Sequence, residues 1–160
     1  MISLPLSFFK WCEQGRIGTG IRESTWMFPV IEAIHLIGLG LVAGSVLVVD
    51  LRLLGFGLVR QPADQLADEA EPWLIGSVTL MIATGTLLFL SEATKCYYSW
   101  PFWVKMTCLF LVLLFTFTVR RYAIRTKWTA GHPALAKVIA LISLGLWFGV
   151  GWGGRWIGFN

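Results

Sequence analysis

The first candidates for chemistry are an acid and a histidine that share a long apolar stretch early in the chain. Glu32 and His35 are three positions apart, a spacing that puts both side chains on one face of a helix. A neutral imidazole on a helix is a common ligand for iron. Gly38 follows one turn after His35, and its missing side chain would leave room for a flat macrocycle. The residues therefore predict metal binding by His35, with haem b as the cofactor.

Basic side chains elsewhere in the chain would suit the propionate groups of a haem. Lys105 lies near the start of the third apolar stretch and Arg155 near the end of the fourth, and such cations pair well with carboxylates. The cofactor-binding candidates are therefore Glu32, His35, Gly38, Lys105 and Arg155. Other roles stay open: Lys105 and Arg155 as anchors at the membrane surface, and Glu32 as the partner of one of them. His35 itself is either a ligand, a core histidine hydrogen-bonded to Glu32, or part of a proton relay.

The small number of histidines limits how an iron atom would be held. The second histidine, His132, precedes Pro133 at the start of the fourth apolar stretch, and we expect it to cap that helix. One chain therefore cannot supply two histidine ligands to one haem. A five-coordinate iron, a Met or Lys ligand, or a histidine from a partner chain would be required.

The other reactive residue types predict no further chemistry. Cys108 is expected to be a small apolar filler. Cys12 and Cys96 are expected on one side of the membrane, where a disulfide is one alternative if that side is oxidising. No cysteine and histidine spacing typical of zinc occurs, and no nucleophile triad, phosphate loop or carboxylate pair. We predict no catalytic residue; if the chain is an enzyme, it would be a haem-linked oxidoreductase.

Membrane-spanning helices must position these residues. The chain has 160 residues, of which 56% are hydrophobic and 14% charged, whereas a soluble domain is about 45–50% apolar and about 25% charged. A soluble enzyme, a disordered tail and a disulfide-stapled secreted domain are therefore excluded. We predict an all-α, four-transmembrane-helix bundle that forms one domain over residues 1–160. Since each span needs about 20 apolar residues, the spans are expected at about 26–49, 73–90, 101–119 and 134–152, after an interfacial helix at about 2–14.

Prolines and glycines predict where these helices begin and how they are joined. Four prolines lie at or near the start of a span, where a missing N–H is tolerated: Pro29, Pro72, Pro101 and Pro133. Uninterrupted helices are therefore expected. Residues 15–20 contain three glycines and are expected to form a flexible joint, while residues 61–71 are expected to form a short acidic surface helix or loop.

Glycines four residues apart predict close helix packing. Such pairs form smooth ridges that let two helices approach, and they occur in the first and fourth spans: Gly40 with Gly44, and Gly145 with Gly149 and Gly153. The fourth span is therefore expected to pack tightly, either inside the bundle or against a partner.

The basic residues predict the orientation of the protein. Four spans put both termini on one side, and the dense basic cluster at residues 120–127 lies on the other. Short basic loops stay in the cytoplasm, so we predict a multi-pass protein of a bacterial inner membrane with both termini in the periplasm. The expected partners are the lipid bilayer and either other membrane subunits or a second copy of the chain. Nothing in the sequence predicts nucleic-acid binding.

Short stretches along almost the whole chain resemble a bacterial family of small four-span membrane proteins, which implies a topology but no activity. They are Ile21–Trp26, Glu32–Gly38, Asp50–Gly55, Ser91–Ala93, Lys95–Tyr97, Lys105 and Gly154–Trp156. More distantly, the chain resembles the four-helix, haem-associated protoporphyrinogen oxidases and the membrane domain of copper-resistance proteins. That resemblance is carried by a histidine in the first span, here His35, a later arginine, here Arg52, and a lysine at the head of the third span, here Lys105.

The leading functional hypothesis is haem b binding through His35, in an electron-transfer or related redox role beside a partner. The alternative from a different class is a cofactor-free structural or accessory subunit of a larger membrane complex. A third possibility, implied by the distant resemblance, is an enzyme that oxidises porphyrins.

Overall fold

The computed structural model describes residues 6–57 and 60–157, and all regular elements within these ranges are helices. The chain begins with two short helices, α1 (Leu6–Glu13) and α2 (Arg16–Glu23). α1 corresponds to the predicted interfacial helix, of which residues 2–5 lie outside the described ranges. The prediction of an all-α fold is confirmed for the described residues.

Four helical segments are long and apolar enough to cross a membrane. α3 (Met27–Leu54) is the first and α4 (Ala63–Ser91) the second; after α5 (Ala93–Tyr98), the third span covers Trp100–Arg125. After α8 (Trp128–Gly131), the fourth span is α9 (Pro133–Ile157). Each span has 25 to 29 residues, enough for a hydrocarbon core of about 30 Å. The prediction of four spans is therefore confirmed.

The third span is not one regular α-helix. It consists of α6 (Trp100–Phe115), a π-helical turn (Thr116–Arg120) and α7 (Arg121–Arg125). The second span is one continuous helix, but Pro72, which was expected at or near its start, lies inside α4. A π-turn inside an α-helix often marks a functional position, and this one contains a buried arginine, Arg120.

The acidic segment before the second span is the first part of α4, so the prediction of a separate surface helix or loop at residues 61–71 was wrong. Acidic residues three or four positions apart lie on one face of α4, and they pair with basic residues in the last turn of the third span and just after it. Glu71 forms ion pairs with Arg121 and Arg125, and Asp64 pairs with Lys127. These interactions stabilise a helix that begins about ten residues before the apolar part of the span.

The flexible joint expected at residues 15–20 is mostly helical, since α2 contains Gly18 and Gly20. Gly18 is required for close packing: a Cβ atom at this position would overlap the Leu90 carbonyl oxygen near the end of α4. The glycine therefore brings two backbones together. Before the first span, the Ser24 hydroxyl accepts a hydrogen bond from the Met27 N–H (3.3 Å), as expected for a residue that caps the start of a helix.

The spans pack with α3 against both α4 and α9, and with α6 against α9. A layer of Val42, Val46, Leu74 and Val78 fills the middle of the molecule. One end is covered by α1, α2 and α5 (residues 6–23 and 93–98), with Phe9 buried against Phe89 and Tyr97; we call this the capped end. The opposite end, residues 120–137, contains α7, α8 and the start of α9, and we call it the basic end.

The glycine ridges divide between the inside and the outside of the bundle. Gly149 packs against Cys108, and a Cβ atom at Gly153 would be 3.0 Å from the Pro101 carbonyl oxygen. The fourth span therefore uses these glycines for internal packing against α6. Gly40, Gly44 and Gly145 have open space beside them in the described part of the chain.

Candidate functional site

His35 faces α4 rather than its predicted neighbour on its own helix. Its Nδ1 atom lies 2.8 Å from the Oγ1 atom of Thr84, whose hydroxyl donates to the Leu80 carbonyl oxygen at 2.7 Å. Since that hydrogen bond uses the only hydroxyl proton, Thr84 must accept from His35. The proton of the neutral imidazole is thus placed on Nδ1, and the lone pair is placed on Nε2.

The surroundings of the imidazole combine a small residue with a cation. Gly85 lies beside the ring, since a Cβ atom there would be 3.2 Å from His35 Cε1. Lys105, on α6, is close enough to act electrostatically on His35. Its side chain lies along Gly153 and Gly154, and a Cβ atom at Gly154 would be 3.6 Å from Lys105 Nζ. We call His35, Thr84 and Lys105 the histidine site.

The structure brings only some of the predicted cofactor-binding residues together. His35 and Lys105 belong to one site, whereas Glu32 is exposed on α3 and no hydrogen bond of the described residues joins it to His35. The space beside Gly38, where room for a macrocycle was expected, contains the Met81 side chain, with Sδ 3.3 Å from a Cβ built on the glycine. Arg155 is exposed and has interactions of its own near the end of α9.

Other predicted residues lie apart from the histidine site. Arg52, carried over from the distant resemblance, is at the other end of α3 and so about 25 Å from His35 along the helix. His132 precedes α9 at the basic end, and its carbonyl oxygen accepts from the Ala136 N–H at 3.1 Å, the backbone role of a helix N-cap. Within the described ranges, no cluster of three or more His, Cys, Asp or Glu side chains forms a metal site.

The cysteines at the capped end are free thiols. Cys12 in α1 and Cys96 in α5 are both buried and unbridged. Burial raises the pKa of Cys96 to about 11, so its thiol is protonated at neutral pH. Cys108 is half-buried and lies against Gly149, which agrees with its predicted role as a filler.

Glu13 attaches the N-terminal helices to the capped end. Its carboxylate accepts from the Thr94 backbone N–H at 2.7 Å and from Arg22 Nη1 at 2.7 Å. Hydrogen bonding to Thr94 is the main reason that the pKa of Glu13 lies below its usual value, with the Arg22 charge adding to the effect.

A second polar site, which sequence reasoning missed, is buried near the basic end. Arg120 Nε in the π-turn donates to Asp50 Oδ1 at 2.8 Å. Asp50 is fully buried, and 5% of the surface of Arg120 is exposed. Both residues lie one position beyond a predicted span, 26–49 for Asp50 and 101–119 for Arg120. A buried charge pair in an apolar protein is expensive unless it is well bonded, so these residues are functional candidates as much as structural ones.

Several buried polar atoms of this ion pair, of its π-turn and of α9 lack hydrogen-bond partners among the described residues. Asp50 Oδ2 and Arg120 Nη2 are both buried and unbonded, as are the side-chain polar atoms of Thr116, Ser143 and Trp147. Ser143 lies beside the Asp50 carboxylate, Thr116 begins the π-turn, and Trp147 is one turn after Ser143 on α9. A polar group left unbonded in a protein interior costs about 1–3 kcal/mol.

Thr84 and Met81 are further residues that the sequence did not single out. Both lie on the face of α4 that contacts His35 and Gly38. A polar residue next to a glycine in an apolar span, as in Thr84-Gly85, was the available signal. The sequence could not tell this threonine from Thr79 and Thr86, since all three hydroxyls donate to a carbonyl oxygen of their own helix. Only the packing of α3 against α4 shows that Thr84 also contacts His35.

Comparison with known proteins identifies one family. Comparison with curated proteins and with solved structures finds no match. Residues 8–160 match the family of unknown function DUF6644, so the match covers nearly the whole chain. A family without an assigned function agrees with the predicted resemblance, which implied a topology but no activity. The resemblance to haem-associated oxidases stays a prediction. The four-span helical chain therefore belongs to the DUF6644 family.

Proposed function

We propose that this membrane protein binds haem b through His35 Nε2 and takes part in electron transfer or a related redox reaction. The observation that carries the proposal is the hydrogen-bond series from His35 to Thr84 to the Leu80 carbonyl oxygen. Histidines that ligate metals usually donate their other ring N–H to such a partner, which fixes the tautomer and the ring orientation.

The residues around His35 suit a haem in charge and in ligand chemistry. Lys105 would pair with a propionate, and Gly85 and Gly154 would reduce crowding around the ring and the lysine. Met81 would have to move aside or serve as a second ligand, because its thioether occupies the space beside Gly38. A bound haem would supply one-electron chemistry, while the protein would orient His35 and keep water away from the site.

An absorption spectrum of the purified protein tests the proposal. Protein expressed in haem-sufficient cells should show a Soret band, and His35→Ala should abolish it while His132→Ala retains it. Thr84→Val should retain some haem but shift its reduction potential, because the ring N–H loses its acceptor. A folded wild-type protein that stays colourless after incubation with haemin would refute haem binding.

A cofactor-free accessory subunit is the second candidate, and one observation favours it. Gly40 and Gly44 are exposed on α3 with nothing beside them in the described part of the chain, a surface on which another helix would pack closely. In this case Gly40→Leu should dissociate a stoichiometric membrane complex in mild detergent. Gly76→Leu, at an equally open glycine on α4, is the matched control and should leave the complex intact.

A further inference from the structure

A cavity of about 670 Å³ opens at the basic end, outside both polar sites. It lies between the end of α3, the start of α4, and the segment from α7 to the start of α9. Pockets for small molecules in proteins usually measure about 300–1,000 Å³. The cavity therefore has room for a ligand or for a lipid headgroup with part of its chains.

The cavity carries a positive charge. Arg52, Lys127 and Lys137 line it, with Asp64 as the one acidic residue among its described lining residues. Asp64 pairs with Lys127 at 3.6 Å. None of the ion pairs of the described residues includes Arg52 or Lys137. Two cations of the cavity therefore have no carboxylate partner within the described part of the chain.

The position of Arg52 is fixed while its terminal donors stay available. Its Nε atom donates to the Gln61 carbonyl oxygen at 2.7 Å, which holds the side chain at the cavity wall. No hydrogen bond from the two terminal nitrogens occurs within the described ranges. A guanidinium presented in this way suits the bidentate binding of a phosphate.

The start of α9 adds to this potential. Pro133, Ala136 and Lys137 line the cavity, and the first turn of α9 contains no acidic residue. Pro133 has no N–H and the Ala136 N–H already donates to the His132 carbonyl oxygen, so the helix contributes through its dipole, whose positive end at the start of a long helix favours an anion. The arginine, the lysine and the helix end therefore favour the same kind of ligand.

Apolar residues form the rest of the wall. Leu53, Leu54, Ile124 and Ala130 lie beside the basic groups, and Leu54 is the last residue of the first span. The cavity thus lies where a membrane-spanning helix ends, with cations and apolar side chains next to one another. Basic pockets between transmembrane helices commonly bind the headgroups of anionic lipids.

We propose that this cavity binds the phosphate group of an anionic phospholipid, with Arg52 and Lys137 as its main contacts and the acyl chains along Leu53 and Ile124. The proposal is independent of haem binding at His35. A soluble phosphate ester would share the phosphate chemistry but would make no use of the apolar wall.

Native mass spectrometry of the full-length protein in neutral detergent tests the proposal. The protein is mixed with equal amounts of phosphatidylglycerol and phosphatidylcholine. The wild type should retain phosphatidylglycerol about thirtyfold more than phosphatidylcholine, because each of the two basic side chains contributes about 1 kcal/mol to binding of the anionic lipid. Lys137→Gln alone should lower the preference, and Arg52→Gln with Lys137→Gln should abolish it. Lys137 is exposed, so Lys137→Gln should fold normally and its lipid preference can be interpreted directly.

Matched controls decide between this cavity and general charge attraction. Lys10→Gln with Lys95→Gln removes two exposed cations at the capped end and should leave the preference unchanged. An equal loss in this control, or no loss in the Arg52 and Lys137 variants, would overturn the proposal. Displacement of the lipid by glycerol phosphate would also overturn it, because the ligand would then be a soluble phosphate ester.

Discussion

The buried ion pair between Asp50 and Arg120 makes a quantitative prediction about stability. We consider the variants Asp50→Val and Arg120→Met, which replace each charged side chain by an apolar one of comparable bulk, and the double variant. Both partners are buried and joined by one hydrogen bond of 2.8 Å. Each single substitution leaves a charge in an interior where it has no other charged partner among the described residues.

The expected magnitudes follow from this burial. Removing one partner of a buried ion pair costs about 3–5 kcal/mol, whereas replacing both by apolar residues is often neutral or stabilising. The unbonded Asp50 Oδ2 and Arg120 Nη2 atoms weaken the native pair further. The free energy of unfolding of the double variant should therefore lie within about 1–2 kcal/mol of the wild-type value. The two substitutions should therefore be strongly non-additive.

Reversible unfolding in mixed micelles, followed by tryptophan fluorescence, provides the assay. The matched control is the pair Asp68 and Arg125, joined at 3.5 Å with both side chains more than half exposed. The same substitutions there should show a coupling of about 0.2–1 kcal/mol, as is usual for exposed pairs. If the double Asp50 and Arg120 variant loses as much stability as the two single variants combined, the ion pair does not carry the interaction inferred from its geometry.

Three further predictions concern the capped end. Gly18→Val should separate α2 from α4 and cost about 1–3 kcal/mol of stability, measured by thermal unfolding, whereas Gly20→Ala, which meets nothing within 4 Å, should have little effect. The pKa of Glu13 is lowered in the folded state. The contribution of Glu13 to stability is therefore complete above the ordinary carboxyl pKa and is lost as pH falls through the folded-state pKa. Over that acidic range, the melting temperature of Glu13→Gln should vary less with pH than that of the wild type. The Cys96 thiol, with a pKa of about 11, should react with iodoacetamide at neutral pH far more slowly than the same thiol in unfolded protein, and equal rates would show that Cys96 is not buried.

The four spans could be predicted from the sequence because apolar length alone determines them. The start of α4 could not, since its acidic residues are stable in a helix only through the basic residues about fifty positions later, such as Arg121 with Glu71. A charged stretch with no visible partner is typical of a loop. The partner becomes known only when the third span places α7 beside α4.

The candidate sites could be predicted only in part for a similar reason. His35 stood out as an ionisable residue inside a span, but the spacing to Glu32 predicted a partner on the same helix, and the partner is Thr84 on α4. Asp50 and Arg120 were missed because each lies near the end of an apolar stretch. Their opposite charges at matching depths on two spans that run in the same direction were the available signal, since α3 and the third span both end at the basic end.

The separation of the two polar sites determines how their variants should be interpreted. His35 and Asp50 lie on the same helix, about 22 Å apart at 1.5 Å per residue, with the apolar layer of Val42 and Val46 between them. Substitutions so far apart and without shared neighbours usually add independently. Loss of the proposed haem in a His35 variant whose unfolding free energy is unchanged would therefore report on ligation. Loss of the same cofactor in an Asp50 variant would instead report on the fold, because only global destabilisation connects the two sites.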